Sequence, residues 1–318
     1  MSDIKVSIVI PVYNGSNYMR EAIDSALAQT CENVEVIVVN DGSNDNGKTE
    51  EIALSYGNKI RYFHKENGGV ASALNLGIRK MTGDWFAWLS HDDTFSKNRI
   101  EEDIKIIESD PDIKIVFCKV ALVDMSGKII EVSDYPIKEV RTPWDVMTLK
   151  GVHMCCITIH KSCFTEAGMF NESNKTTQDI EMSLLLSKHY GFVLNNNSET
   201  YVRLHPESGS ATTKEQHKKD SLLLARFIHE NIGLFDFFPH LENKEAAMIA
   251  ECWQKLGDLY NYFGASDFAD ECYGKGYEVN KKIFSRIGVK HFVGSKILNS
   301  VFNKSQYFLS IYKKIRNE

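Results

Sequence analysis

The segment WLSHDDTF, Trp88 to Phe95, ends an apolar run with a histidine and two adjacent aspartates, Asp92 and Asp93. Adjacent carboxylates repel when both ionise, and burying either one without a partner is costly. A divalent cation relieves both problems, because hard ions such as Mg2+ and Mn2+ favour carboxylate oxygen. A metal held by one or two carboxylates and completed by substrate phosphates fits magnesium chemistry. The competing reading is a cap for the helix FSKNRIEEDI, which would need only one aspartate. The pair therefore points to a metal.

The elements that must position this pair alternate along the first part of the chain. KVSIVIPVYN, VEVIVVNDGS, KIRYFHK and DWFAWLS read as buried strands, each a nearly continuous apolar run. Between them SNYMREAIDSALAQ, DNGKTEEIALSY and GGVASALNLGIRKM carry helical spacing. The alternation predicts an α/β fold, a mostly parallel sheet flanked by helices in the Rossmann-like manner. Function in such sheets sits at the carboxyl ends of strands. PVYNG, NDGS and SHDD all fall there and should converge. From about Ser96 to Val202 the pattern is mixed: an amphipathic helix stopped by Pro111, two strands joined at Met-Ser-Gly, a strand CCITIH, and the helices KSCFTEAGMF and QDIEMSLLLSKHYG.

Beyond Ser210 the pattern is helical only. Trp253, Leu256, Gly257 and Tyr260 match W-x2-L-G-x2-Y, one tetratricopeptide-like hairpin where an array needs about three. The expected organisation is a domain at 1–210, a helical extension at 211–280 and a basic amphipathic tail at 281–318. The tail holds nine basic residues and one acid, while the rest of the chain carries a net charge of −14. Such a tail suits either an anionic membrane surface or the acidic body of its own chain. The overall charge of −6 argues against nucleic acid as a partner. Seven cysteines without a CxxC pair, and no signal peptide, read as reduced thiols in a cytoplasmic protein, with peripheral contact at the inner face of the membrane. On a strand, Cys155 and Cys156 would point to opposite faces, which disfavours a metal pair.

Five segments in order, SIVIPVYNG, IVVNDGSND, NGGVASALNLGI, GDWFAWLSHDD and AGMFNES…TTQDIEM, resemble the family 2 glycosyltransferases over about residues 4–210. Each segment alone is weak, but the ordered set is specific. The resemblance implies the GT-A fold, an inverting single displacement, Mn2+ or Mg2+ as cofactor, and a nucleotide-diphosphate sugar as donor. It implies that Pro11 and Tyr13 line the base, Asp41 accepts a uracil N3–H, and Asn67 and Asn75 organise the NGG turn beside the nucleotide. Asp92 then holds the ribose, Asp93 the metal, and His205 in YVRLHPESGS is a further metal ligand. Asp179 in TTQDIEM is the base that takes the acceptor proton. Arg203 and Ser208–Ser210 are read as part of a loop closing over the donor. Two departures stand out. Leu74 replaces an arginine that many relatives direct to the diphosphate, with Arg79 or Lys97 as candidate substitutes, and Gln178 replaces the more frequent glutamate before Asp179.

Asp41 favours a UDP-sugar, although a dTDP-sugar presents the same N3–H. The expected acceptor is a glycan or a lipid-linked glycan of a surface polysaccharide or glycoconjugate. A nucleotidyltransferase would show G-x-G-x-R after the first strand, which PVYNGSNYMR lacks. The remaining alternative is a noncatalytic scaffold, a degenerate transferase domain joined to a helical interaction module.

Overall fold

The computed structural model describes residues 3–149, 153–208, 214–241 and 244–281. Ser210 and all of the basic tail except Lys281 lie outside the described residues. The chain divides into two compact units, Met1–Arg141 with Gly151–Thr212, and Thr142–Lys150 with Thr213–Glu318.

The first unit is built on a ten-stranded sheet. β1 (Val6–Val12), β2 (Val34–Asp41), β3 (Arg61–Lys65) and β4 (Trp85–Trp88) pair in parallel in the order β3-β2-β1-β4. Three helices make the crossovers: α1 (Met19–Leu27), α2 (Lys48–Leu54) and α3 (Val70–Lys80). Every residue of β1 is buried, as its unbroken apolar run requires of a strand covered on both faces. α1 buries Met19, Ala22, Ile23 and Ala26, one helical stripe, against Ile8, Ile10 and Val38 of the core. On α3, Gly77 allows close contact with the sheet, since a Cβ there would lie 2.3 Å from a Val9 methyl.

Beyond β4 the pairing becomes mixed. β5 (Thr94–Phe95), α4 (Arg99–Ser109), β6 (Ile115–Val123), β7 (Ile129–Val132), β8 (Glu139–Val140), β9 (Ile157–His160), α6 (Cys163–Ala167), α7 (Gln178–Ser187) and β10 (Phe192–Arg203) complete the unit. β9 is antiparallel to both β4 and β6, β10 runs parallel to β6, and β5 closes the far edge. Cys155 and Cys156 lie in a 3-10 turn before β9 rather than in the strand read from CCITIH. β10 was not evident in the sequence, because Asn195–Asn197 interrupts its apolar pattern. That stretch is a bulge, where the register to β6 shifts between Asn195 and Glu199. The buried Asn195 amide donates to Asp103 at 2.7 Å. Asp103 also pairs with the fully buried Arg99 at 2.8 Å and accepts from Thr158 at 2.6 Å, fastening α4 to the sheet.

At the amino ends of the parallel strands, Glu35 accepts hydrogen bonds from Ser7, from the Thr82 and Gly83 amides, and from Arg61. Burial alone would raise this carboxyl, but the bonds from Ser7, Thr82 and Arg61 bring it down to about 2.

In the second unit, α5 (Pro143–Thr148) begins with a capping box between Thr142 and Asp145. Its Trp144 packs on Phe237 and Phe238, so residues 142–150 cluster with the helical end. There follow α8 (Lys214–Asn231), α9 (Leu234–Phe237), α10 (Ala246–Tyr262) and α11 (Ser266–Val279). α10 and α11 form a hairpin in which the Tyr273 ring lies against Gly257, and its hydroxyl donates to Asp258 at 2.7 Å. The W-x2-L-G-x2-Y residues lie on α10, with Leu256, Gly257 and Tyr260 buried.

Candidate functional site

The loops at the carboxyl ends of β1, β2 and β3 are tied to one another. Asn14 takes a left-handed conformation, φ 50°, and exchanges hydrogen bonds with Ser43 and Asn44 after β2. Gly42, φ 69°, lets that loop meet the next one, since a Cβ there would sit 2.6 Å from the Asn67 amide nitrogen. Asp41 is buried at the tip of β2. Its Oδ1 accepts from Lys65 at 2.8 Å and from the Gly68 amide at 3.0 Å, and its Oδ2 accepts from the Gly69 amide at 2.7 Å. Asp41 therefore holds the NGG turn together, with Lys65 as counter-ion. Pro11 is buried in β1, whereas Tyr13, at 44% exposure, and Asn67 are open to solvent.

The paired aspartates follow β4 and are not equivalent. Asp92 receives His205 Nε2 at 2.9 Å. Burial would raise the Asp92 carboxyl, but the His205 bond and the charges of His91 and His205 bring it below the ordinary range. Asp93 is 5% exposed and accepts the Arg203 amide at 3.0 Å. Burial, followed by the charge of Asp92, pushes it well above the ordinary carboxylate range. His205 is also buried, its ring lies 4.8 Å from that of Tyr18, and its Nδ1 has no hydrogen-bond partner among the described residues. His205 thus contacts Asp92 of the pair. Burial lowers His91, the neighbour of the pair.

Asp179 stands in the first turn of α7, with its Oδ1 accepting the Ile180 amide at 2.9 Å. The loop before α7 is locked from behind, because buried Glu181 accepts from both Asn171 and Asn174. Asn75 fixes the same loop to α3. Its amide donates to the Phe170 carbonyl and to Glu172, and its Oδ1 accepts from the Phe170 amide. Its hydrogen-bonding groups are used within the chain, so Asn75 shapes the site from behind. Cys155 reports how the carboxylates converge. Burial, then the charges of Asp93, Cys118, Asp179 and Asp92, push this thiol well above its ordinary range. Three site carboxylates therefore lie within electrostatic reach of one sulfur. Gln178, beside Asp179, is buried with its Oε1 unpartnered among the described residues.

Some of the site was not anticipated. Lys65 and Glu181 act through contacts that spacing does not encode. Lys175 donates to the Gly68 and Glu172 carbonyls and stands over the glycine turn, while Leu74 lies in the core. Arg203, read from the sequence as part of a closing loop, is instead the last residue of β10 and 6% exposed. Its guanidinium is held by Glu21 and by the Asp92 and Met125 carbonyls, which removes it from any mobile segment.

A divalent ion fits part of this arrangement. Neighbouring ligands of an octahedral ion at ~2.1 Å lie about 3 Å apart, close to the 2.9 Å between Asp92 Oδ2 and His205 Nε2. Among the described residues no group of three or more His, Cys, Asp or Glu side chains is placed to hold a metal ion. Substrate oxygens would have to complete the shell.

Known proteins resemble this chain in sequence and in fold. Residues 7–176 match the family described as Glycosyl transferase family 2. An uncharacterized glycosyltransferase of Rickettsia felis is 44% identical over 230 residues, 71% of this chain and 38% of that protein. Chondroitin synthase of Pasteurella multocida is 32% identical over 222 residues, 69% of this chain and 22% of that protein. The chain thus spans well under half the length of these two relatives. A crystal structure of S. aureus TarS 1-349 in complex with UDP-GlcNAc superposes with a TM-score of 0.57 at 16% identity, covering 88% of this chain and 92% of that one. The shared fold is of the GT-A type.

Proposed function

The chain belongs to glycosyl transferase family 2, and from that premise we propose that it moves a sugar from a UDP-sugar to a hydroxyl of a glycan or lipid-linked acceptor, with inversion. The observation that carries the reading is the corner after β4, where buried Asp93 adjoins Asp92 and His205 closes on Asp92 at 2.9 Å. Asp93 is buried, and a buried carboxylate beside a second one favours a bound cation. UDP-GlcNAc is the first donor to test, since TarS binds it, and a dTDP-sugar is the second. Glycan acceptors follow from the likeness to chondroitin synthase.

Asp41 Oδ2 has one donor, Gly69, and retains capacity to accept the N3–H of uracil. Tyr13 offers ring area for the base, with Pro11 fixing the strand exit. Asn67 borders the nucleotide, and Asn75 keeps its helix in place. Asp93 and His205, together with substrate oxygens, would hold Mn2+ or Mg2+, and Asp92 borders the ribose. When bound, such an ion neutralises the charge that grows on the leaving diphosphate. Asp179 takes the proton from the acceptor hydroxyl as that oxygen attacks the anomeric carbon from the far side. Glu181, Asn171 and Asn174 hold the base in position.

The test is donor turnover. With Mn2+ and UDP-GlcNAc, wild type releases UDP and Asp179→Asn does not. If wild type turns over no nucleotide sugar with any acceptor extract, the scaffold reading replaces this one. We further propose a cytoplasmic protein whose basic segment 281–318 contacts anionic lipid. No helix among the described residues is long and apolar enough to cross a membrane. If chain 1–280 binds anionic vesicles as well as the full chain, this proposal fails.

A further inference from the structure

Arg203 stands out because it is 6% exposed and almost every polar group it has is engaged at the metal corner. Its main-chain N–H donates to Asp93 Oδ1 at 3.0 Å, and its Nε donates to the Asp92 carbonyl at 3.2 Å. Nη1 donates to the Met125 carbonyl at 3.1 Å, in the turn between β6 and β7, and Nη2 is paired with Glu21 on α1. The guanidinium lies 4.9 Å from the centre of the Tyr18 ring, and the His205 ring lies 4.8 Å from the same ring. One residue at the end of β10 is thus bonded to α1, to the turn after β4 and to the turn after β6.

Burying a guanidinium is costly unless its donors are satisfied. A fold that only needed to close β10 at this point could have used an apolar side chain. What the arginine adds is a rigid planar fork that fixes three separate points at once, which a lysine ammonium cannot do. One of the points held by the fork is the main chain of Asp92, next to Asp93, whose carboxylate is held by the main-chain N–H of the same arginine. A third neighbour, Tyr18, packs against His205, so both halves of a pair 113 residues apart in sequence rest on the same brace. Partners one step behind a metal's ligands commonly set its affinity.

We propose that Arg203 is the positioning residue of this corner, holding Asp92, Asp93 and His205 in register for a divalent ion and a diphosphate, with Glu21 as its anchor. The proposal rests on the reading of the corner as the metal and diphosphate site. Direct Mn2+ binding to the full-length protein in the presence of UDP, followed through the electron paramagnetic resonance of free Mn2+, tests it without requiring turnover. Arg203→Gln should weaken Mn2+ binding by about ten- to a hundred-fold, and Arg203→Lys should fall between it and wild type. Glu21→Ala, which changes the half-exposed partner, should cost about three- to five-fold. A role in folding alone would lower thermal stability and leave the Mn2+ affinity of the folded protein unchanged, and that result overturns the proposal. If Arg203→Gln does not fold, Glu21→Ala decides, since unchanged Mn2+ affinity there overturns it equally. If wild type with UDP binds no Mn2+, the metal reading itself has failed and takes the proposal with it.

Discussion

Glu35 at the amino ends of the parallel sheet and Asp93 at its carboxyl ends are treated in opposite ways. At the amino ends, Glu35 is surrounded by donors from Ser7, Thr82, Gly83 and Arg61, and its carboxyl is brought down to about 2. At the carboxyl ends, Asp93 is buried next to a second aspartate, its amide bond from Arg203 does not compensate, and its carboxyl is raised well above the ordinary range. The first network is complete within the chain and contributes stability. The second is incomplete among the described residues, and under the proposed function a bound cation supplies the positive charge. The difference separates a structural carboxylate from a functional one by the sign of its effect on folding.

The largest effect that would sharpen this contrast is on activity. Asp179→Asn should lower turnover by about 10²- to 10⁴-fold, the usual worth of a general base, while changing thermal stability little. A stability loss as severe as the activity loss would mean that Asp179 serves α7 rather than chemistry. At the other end, Glu35→Gln should cost on the order of 2 kcal/mol at neutral pH and leave the Km for donor unchanged, as read by urea unfolding and by UDP release. Because the folded Glu35 carboxyl lies below its unfolded value near 4.5, its stabilisation is present above that pH and is lost as pH falls towards about 2. The variant should therefore show a flatter acid limb in stability against pH. Ser7→Ala removes one donor to Glu35 and the acceptor of the Gly83 amide, for a loss of about 1 kcal/mol. If either change at the amino ends alters donor binding, the two ends are not as separate as the geometry has them.

The same division explains what could be read in the sequence. The strands β1 to β4 are buried on both faces, so their apolar runs announce them, and the site residues at their tips follow from the rule about carboxyl ends. Asp92, Asp93, Asp41, Asp179 and His205 were found because their segments recur in order in one family. β10 escaped because its bulge is made of asparagines whose partners, Asp103 and Ser198, are distant or local side chains that no periodicity records. Arg203 looked like loop because it precedes a proline-containing polar stretch, yet its partners lie 78 to 182 residues away. Asn75 reads from the sequence as organising the glycine turn beside the nucleotide, and its contacts, to Phe170 and Glu172, lie 95 and 97 residues away. Residues that hold a site from behind depend on contacts across the chain.

The most direct measurement is the melting temperature of Asp93→Asn, with and without Mn2+ and UDP. The raised Asp93 carboxyl binds its proton more tightly folded than unfolded, so ionisation at neutral pH opposes folding, and stability falls as pH rises past its unfolded value. Removing that charge should raise the melting temperature of the ligand-free protein, by ~2–4 °C for each kcal/mol relieved. It should also diminish the further rise that Mn2+ with UDP gives to wild type. A ligand-free variant that melts below wild type, or one that Mn2+ and UDP stabilise as fully as wild type, would contradict the account of Asp93 as a carboxylate kept for a cation.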